Sequence, residues 1–316
     1  INSRYIRRAT SIFLARQAVE SGQVECALAF GFEEMQKGAL VDHWTDRTSP
    51  GKDVMDALAQ SRPQLTSGPG ALMMFGSAGF DYLETYGATP DLFAKVAVKS
   101  RQHAIKNPFA LFTNPLTIAD VMNAPVVYGE MLTRLMCCPP TCGAAAVIIV
   151  SKAFAAKHGI SNLVEIAGQS MATDDETLFD NARNVVGQNC ALRAATVAYE
   201  QAGIGPEDVD VVELHDCFTP NEVLAYEALG LCGEGEATQF VNDKDNTYGG
   251  KYVVNPSGGL MSKGHPIGAT GLAQCTELVW HLRGEAGERQ VEGARIGLQH
   301  NIGVPGGAIV TVYKIA

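Results

Sequence analysis

Residues 209–218 read VDVVELHDCF, and this stretch indicates an α/β fold. The apolar run at 209–214 predicts a buried strand, and Pro220 just beyond it predicts the start of a helix. A strand that feeds a helix places the residues between them at the carboxyl end of the sheet, where open α/β sheets hold their ligands. His215 and Cys217 are therefore candidates for catalysis.

The thiol of Cys217 has two interpretations. The N-terminus of the following helix would lower its pKa and favour a reactive thiolate. The alternative is a buried structural cysteine beside a core histidine with satisfied hydrogen bonds. The residues 215–218 leave both open.

Strand and helix patterns follow one another along the chain in two consecutive series. The first series has a helix at 9–21, a strand at 24–32, a strand at 144–150 and a helix at 151–158. The second has strands at 164–169, 209–214, 294–299 and 308–313, and helices at 181–202, 220–229 and 268–282. Two similar series predict a duplicated α/β core with halves at 1–152 and 153–316. Because residues 38–135 contain seven prolines, we interpret them as a loop-rich insertion with short helices at 91–104 and 117–123.

A second motif reads NPSGG at 255–259, followed by SKGHPIGATG at 262–271. Glycine clusters on both sides of His265 would let a ligand approach the backbone and reach unpaired N–H donors at a helix start. The alternative is a tight connection without function. We favour a binding or catalytic role for His265.

The third motif is QHN at 299–301, which follows a predicted strand and precedes Gly303, Gly306 and Gly307. Those glycines could present backbone N–H groups to an oxyanion. His300 is either a catalytic group or a polar core residue, and the motif alone does not distinguish them.

The composition of the chain argues against several classes of protein. The chain has 316 residues, of which 46% are hydrophobic and 18% charged, enough to bury a substantial core. A net charge of −10 argues against a nucleic-acid partner. Eight irregularly spaced cysteines do not form a secreted disulfide pattern, and Cys137, Cys138 and Cys142 fit no zinc spacing, so we predict no metal. No segment resembles a signal peptide or is apolar over a bilayer-spanning length, so we expect a soluble protein.

Taken together, HDCF at 215–218, NPSGG at 255–259, GHPIGATG at 264–271 and QHN at 299–301 resemble the sterol-carrier-protein-type (SCP-x) thiolases. The resemblance runs over essentially the whole chain. It implies a thiolase fold: two similar α/β halves in a layered α-β-α-β-α core, with a loop domain from the first half. It also implies acyl-CoA as substrate, coenzyme A as co-substrate, no permanently bound cofactor, a homodimer and a peroxisomal location, with a cytoplasmic one as the alternative.

The resemblance assigns roles to individual residues. His265 would activate a nucleophilic cysteine, Cys217 would move a proton at the carbon α to the carbonyl, His215 would polarise the thioester carbonyl, and His300 would assist Cys217. Two segments would line the pantetheine arm of coenzyme A: Ser257, Gly258 and Gly259, and Thr141 to Gly143. Cys142 stands where the family usually has aspartate.

The main difference between this chain and the family pattern concerns the nucleophile. Counting back from the helix at 9–21, the family's cysteine should fall near position 5, where this chain has Tyr5. An ordinary phenol titrates near pH 10 and is almost wholly protonated at neutrality, so Tyr5 is no substitute. The family's earlier first-half strands also have no counterpart, and a truncated isoform, a faulty gene model or a degenerated paralogue would each explain this.

Three functions follow as hypotheses. The first is a 3-ketoacyl-CoA thiolase of fatty-acid or sterol side-chain β-oxidation, impaired in this chain. The second is a non-catalytic protein that binds acyl-CoA or lipid. The third is a retro-aldolase of CoA esters, which needs no acyl-enzyme.

Overall fold

The computed structural model describes residues 7–36, 46–49, 51–65, 68–303 and 306–316. Position 5, where the family's nucleophile is expected, lies outside these residues. Within them, the first half of the chain has the following helices and strands: α1 (Arg7–Glu20), β1 (Cys26–Glu33), α2 (Lys52–Ser61), α3 (Gly70–Tyr86), α4 (Asp91–Ala104), α5 (Ile118–Met122), β2 (Val126–Tyr128), β3 (Leu132–Thr133) and β4 (Gly143–Val150).

The second half contains the larger sheet and its helices. They are α6 (Lys152–Lys157), β5 (Val164–Thr173), α7 (Ala182–Val185), α8 (Gln188–Ala202), β6 (Val211–Glu213), α9 (Thr219–Ala228), α10 (Ala237–Asn242), β7 (Val253–Val254), α11 (Gly259–Ser262), α12 (Thr270–Arg283), β8 (Ile296–Gly303) and β9 (Gly307–Ile315). The predicted boundary after residue 152 falls at the first residue of α6 and stays a prediction.

The five-stranded sheet has the order β5-β9-β8-β6-β7. Strand β6 runs parallel to β7 and β8, whereas β9 runs antiparallel to β8 and β5. One face is covered by α8, whose small residues allow a close approach: a Cβ on Gly168 of β5 would stand 2.1 Å from the carbonyl oxygen of Ala198. The parallel arrangement of β6 and β8 brings residues 214–215 level with residues 300–301.

Helices α1 and α12 lie between this sheet and the antiparallel pair β1–β4. Their apolar side chains form one buried cluster with residues of both sheets, among them Ile12, Leu272 and Leu278. Backbone meets backbone where β1 passes the start of α12, because a Cβ on Gly31 would stand 2.1 Å from the oxygen of Gly268. This contact holds the turn at 264–268 against β1, and the N–H of Gly268 also donates to Glu33 Oε2 at 3.1 Å.

Two sequence-based expectations were wrong in detail. The segment 38–135 contains two helices that the proline count obscured, α2 and the 17-residue α3. Pro69 and Pro90 stand directly before α3 and α4, where a proline starts a helix without interrupting it. The single helix expected at 181–202 is two helices, because Gly187, at φ +86°, separates α7 from α8.

The outer face of the β1–β4 pair is apolar and exposed. Leu28, Phe30 and Phe32 alternate along β1 with 63%, 64% and 68% of their surface exposed, and Ile148 of β4 adds 69%. In the part of the chain described, no helix combines the length and apolar character needed to cross a bilayer.

Candidate active site

Two histidines from distant parts of the chain meet at the carboxyl end of β6. His215 follows the strand, and His265 follows Gly264, whose φ of +115° permits the turn before α12. Their ring centroids are 5.0 Å apart with the planes nearly perpendicular, at 84°. Both side chains are buried, with 3% and 7% of their surface exposed. The predicted convergence of these two imidazoles is therefore present in the structure.

The hydroxyl of Thr270 determines which ring nitrogen of His265 carries the proton. The Nδ1 atom lies 2.8 Å from Thr270 Oγ1, and that hydroxyl donates its proton to the carbonyl oxygen of Pro266 at 3.0 Å. Since a hydroxyl has one proton, Thr270 must accept from Nδ1–H of His265. The other ring nitrogen, Nε2, then carries the lone pair and can act as a base.

The segment 137–143 runs between the two histidine loops. Cys138 N–H donates to the carbonyl oxygen of Cys217 at 2.9 Å, and Cys137 forms an isolated bridge with Phe218. Further along, His265 N–H donates to Thr141 Oγ1 at 3.0 Å. Thr141 and Cys217 therefore belong to one connected region with both histidines.

Gly143 also contacts the histidine turn. A Cβ on Gly143 would stand 3.1 Å from Pro266 Cγ. Cys142 beside it is exposed, and its Sγ accepts from Met35 N–H at 3.2 Å. The structure thus places both ends of the predicted segment Thr141 to Gly143 against the turn that carries His265.

The glycine motif at 255–259 lies deeper. Ser257 is fully buried, and its N–H and hydroxyl donate to the Glu213 carboxylate at 3.0 and 2.9 Å. Gly258 and Gly259 have φ values of +90° and +60°. Their α-carbons pack against Ala104 and Asp216, where an added Cβ would stand 2.5 and 2.1 Å from the nearest atom. These residues shape the floor of the region, and their assignment to coenzyme A stays a prediction.

Asp216 lies fully buried between the histidine motif and α11. Its carboxylate accepts from Leu260 N–H at 2.7 Å and from Met261 N–H at 3.4 Å. Burial raises the pKa of the Asp216 carboxyl, and the charge of Glu222 adds to the shift. Asp216 thereby connects the motif HDCF to α11, the helix that begins at the last glycine of NPSGG, through contacts that the sequence did not predict.

His300 is on the other face of β8. Side chains alternate along a strand, and Gln299 and Asn301 both contact α12, at Gly271 and Gln274. Among the described residues, neither ring nitrogen of His300 has a hydrogen-bond partner. Burial lowers the pKa of this imidazole to about 3. Its predicted role in assisting Cys217 stays a prediction.

We expect His300→Leu to stabilise the protein by about 1–3 kcal/mol at neutral pH, because it removes a buried polar group without partners. An unfolded histidine titrates near pH 6.5 and the folded one near 3, so the unfolded chain takes up a proton in between. Wild-type stability should therefore fall as the pH drops through this window, and the variant should lose less. Urea unfolding at a series of pH values measures both effects.

The exposed His158 provides the control, since His158→Leu should leave the free energy of unfolding at neutral pH nearly unchanged. A His300→Leu protein that is less stable at every pH would contradict the interpretation of His300 as an unpartnered core imidazole.

Within the described residues, no group of three or more His, Cys, Asp or Glu side chains is arranged to hold a metal ion. Burial also raises the pKa of the Cys137 thiol to about 12, so this thiol stays protonated at neutral pH. The cysteine-rich segment 137–142 acts here as a connector between the histidine loops.

Three further residues contact the two histidines, directly or through one another: Asn301, Gln274 and Thr270. The sequence analysis assigned them no role. The period of two along β8 is a signal that could have found Asn301, because residues 299 and 301 share the face turned towards α12. Thr270 lies within the motif GHPIGATG and begins α12, whereas Gln274 lies one helical turn further along, outside the motifs.

Comparisons with known proteins place these features in a family. The family model described as "Thiolase C-terminal domain-like" matches residues 156–313. The chain is 48% identical over 318 residues to sterol carrier protein 2 of Rattus norvegicus, and this match covers the whole chain and 58% of the relative. The chain thus spans a little over half the length of that relative.

Two solved structures share the fold. The protein described as "Ltp2-ChsH2(DUF35) aldolase" has a TM-score of 0.81 at 24% identity, covering 97% of this chain and 77% of that one. Human mitochondrial 3-ketoacyl-CoA thiolase has a TM-score of 0.69 at 19% identity, covering 99% of this chain and 77% of that one. The predicted thiolase fold is confirmed.

A family model over half of the chain, a full-length match at 48% identity and a shared fold agree with the motifs at 215, 255, 264 and 299. The chain belongs to the thiolase superfamily, and within it to the sterol-carrier-protein (SCP-x) type.

Proposed function

We propose that this site performs the acyl-transfer chemistry of a 3-ketoacyl-CoA thiolase. The observation that carries the proposal is the buried pair His215 and His265, 5.0 Å apart, beside the loop of Cys217. Thiolysis requires a base that takes the proton of the nucleophilic thiol and a hydrogen-bond donor to the thioester oxygen, where negative charge develops. Acyl-CoA and coenzyme A would be the substrates, with no permanently bound cofactor.

In the proposed reaction, His265 Nε2 takes the proton of a nucleophilic thiol, and the thiolate attacks the 3-keto carbon. The Cα–Cβ bond breaks, its electrons form the enolate of acetyl-CoA, and Cys217 protonates that carbon. The acyl group is left on the enzyme as a thioester. Coenzyme A then gives its thiol proton to the Cys217 thiolate and attacks the acyl-enzyme thioester. The enzyme thiolate leaves and regains its proton from His265, and a shortened acyl-CoA is released. The covalent intermediate divides one difficult transfer into two easier steps.

The nucleophile is the element that this chain lacks at the expected position, because Tyr5 occupies it. We therefore expect the chain to show little thiolysis. Since the family resemblance puts the nucleophile at position 5, Tyr5→Cys should introduce thiolysis, because a thiol with a pKa of about 8.5 ionises far more readily at neutral pH than a phenol with a pKa of about 10. Thiolysis of acetoacetyl-CoA, followed by loss of its absorbance, measures the gain.

Matched variants make the test specific. Tyr5→Ser is the control for the substitution itself and should stay inactive, while Tyr5→Cys combined with His265→Gln should lose the gain. Rapid thiolysis by the unaltered chain would contradict the need for a cysteine at position 5. Failure of Tyr5→Cys to turn over or to form an acyl-enzyme, despite correct folding, would refute thiolase chemistry at this site.

The same samples separate the two alternative functions. Calorimetry with coenzyme A would show micromolar binding without turnover if the protein only binds acyl-CoA or lipid. Release of an aldehyde or ketone from a β-hydroxyacyl-CoA would indicate a retro-aldolase. We place thiolase chemistry first because the base at His265 lies against His215 and belongs to the same connected region as Cys217.

Assembly and location are also proposals. The apolar outer face of the β1–β4 pair, with Phe30 and Phe32 about two-thirds exposed, supports a homodimer, since a monomer seldom leaves such a face in water. Peroxisomal location, a fatty or sterol-derived acyl tail and a role in β-oxidation are expected from the family and stay predictions.

A further inference from the structure

A chain of buried amides leads from a backbone carbonyl to His215. Gln274 Nε2 donates to the carbonyl oxygen of His300 at 3.2 Å. A carbonyl oxygen can only accept, so this contact determines which end of the Gln274 amide is nitrogen. Its oxygen, Oε1, therefore points the other way, where Asn301 Nδ2 donates to it at 3.0 Å.

A second contact gives the same orientation. Gln299 Nε2 donates to the carbonyl oxygen of Gly271 at 2.6 Å, while its Oε1 accepts from the Tyr313 hydroxyl at 2.6 Å. The same Nε2 stands 3.5 Å from Gln274 Oε1. The Gln274 oxygen thus faces amide hydrogens from both neighbours, and rotating the Gln274 amide would break three contacts.

The orientation of Asn301 determines the tautomer of His215. Asn301 Nδ2 lies 3.3 Å from His215 Nδ1. An amide nitrogen offers only hydrogens, so Nδ1 must present its lone pair. In a neutral imidazole the proton then resides on Nε2. His215 is a hydrogen-bond donor at Nε2, whereas His265 carries its lone pair there because Thr270 accepts from its Nδ1–H.

We propose that Asn301, oriented by Gln274, is a positioning residue that holds His215 in the Nε2–H tautomer, so that two neighbouring imidazoles serve as one donor and one base. This inference rests on the proposed function, since the donor would be directed at the thioester oxygen. It also explains why the two histidines differ: Asn301 determines the tautomer of His215, and Thr270 determines that of His265. Gln274 and Asn301 are 0% and 3% exposed, so water does not compete for their hydrogens.

The tautomer can be read directly by long-range ¹H–¹⁵N correlation spectroscopy on protein labelled with ¹⁵N-histidine, at mildly alkaline pH. The chain has seven histidines, and His215→Gln assigns the signal of interest by its loss. We expect the wild-type His215 signal to show a protonated Nε2 and an unprotonated Nδ1. In Asn301→Asp, a carboxylate faces Nδ1, and the proton should move there.

Two further variants keep the test decisive. In Gln274→Leu the Asn301 amide can rotate, so both tautomers should be populated even if Asn301→Asp does not fold. Gln169→Leu is the matched control: Gln169 is a buried amide that donates to Thr311 Oγ1 at 3.0 Å, and it lies on β5, three strands away from β6, which His215 follows. It should leave the His215 signal unchanged.

Turnover provides the second measurement. In the Tyr5→Cys form, Asn301→Asp should lower kcat by about 10²-fold, the loss expected for one oxyanion donor, with little change in KM. A wild-type His215 protonated at Nδ1, or a tautomer unaffected by both substitutions, would refute the inference whatever the activity. The predicted tautomers in a folded Tyr5→Cys protein that shows no thiolysis would refute the proposed function and leave the inference about Asn301 intact.

Discussion

Lys99→Met is expected to lower the free energy of unfolding by about 3–5 kcal/mol, because it leaves a buried carboxylate without its counter-charge. Lys99 Nζ bonds the carboxylate of Glu222 and donates to the Val254 carbonyl oxygen at 3.1 Å. The side chains of this pair are 7% and 0% exposed. Urea unfolding at neutral pH measures the loss.

The ion pair matters for the site because Glu222 supports the glycine motif. Its Oε2 accepts from Asn255 Nδ2 at 3.2 Å, and Asn255 Oδ1 in turn accepts from Leu214 N–H at 2.9 Å. Asn255 adopts a φ of +53°, in the left-handed region that asparagine enters more readily than other residues with side chains, and the two hydrogen bonds of its amide hold it there. We therefore expect Lys99→Met to weaken binding of coenzyme A as well.

Lys95 on the same helix supplies the control. It forms a partly exposed ion pair with Asp91 at 2.7 Å and donates to Asn242 Oδ1 at 2.8 Å, and Lys95→Met should cost about 1 kcal/mol or less because solvent screens the pair. Adding Glu222→Gln to Lys99→Met should recover part of the stability, since no buried charge then remains uncompensated. Equal losses for Lys95→Met and Lys99→Met would show that burial of the pair has no energetic consequence.

Gly259→Ala should destabilise the protein by about 2–5 kcal/mol through two separate effects. At a φ of +60°, a side chain costs about 1–2 kcal/mol of backbone strain. The added Cβ would also stand 2.1 Å from Asp216 Oδ2, and relieving that overlap costs about 1–3 kcal/mol more. The displaced carboxylate would lose its bonds to Leu260 and Met261, so the affinity for coenzyme A should fall too.

Gly203→Ala isolates the backbone effect. Gly203 has nearly the same φ, +63°, and no atom lies within 4 Å of the position that its added Cβ would occupy, so only the strain should appear. Unfolding experiments on both variants give the overlap energy as their difference. If the two losses are equal, Asp216 is not packed against Gly259 as described, and the floor of the site is less rigid than the structure indicates.

Local patterns predicted much of this molecule correctly. Helix α4 was predicted at its observed bounds, and β4, β5, α9 and α12 within a few residues, because burial on one face imposes a period on the sequence. The motif HDCF was correctly placed at the carboxyl end of β6. The prolines in 38–135 led to a wrong prediction, because a proline that starts a helix and a proline in a loop have the same local signature.

The candidate site was likewise predicted only in part. Four motifs were enough to identify the family, and the strand and helix periods were enough to bring His215 and His265 to one edge of the sheet. Those patterns could not predict which imidazole is the donor and which is the base. The tautomer of an imidazole depends on which atom lies opposite each ring nitrogen. Those atoms belong to Asn301, 86 residues from His215, and to Thr270. Periodicity is a local property of the chain, whereas hydrogen bonds between distant residues form only when the core packs.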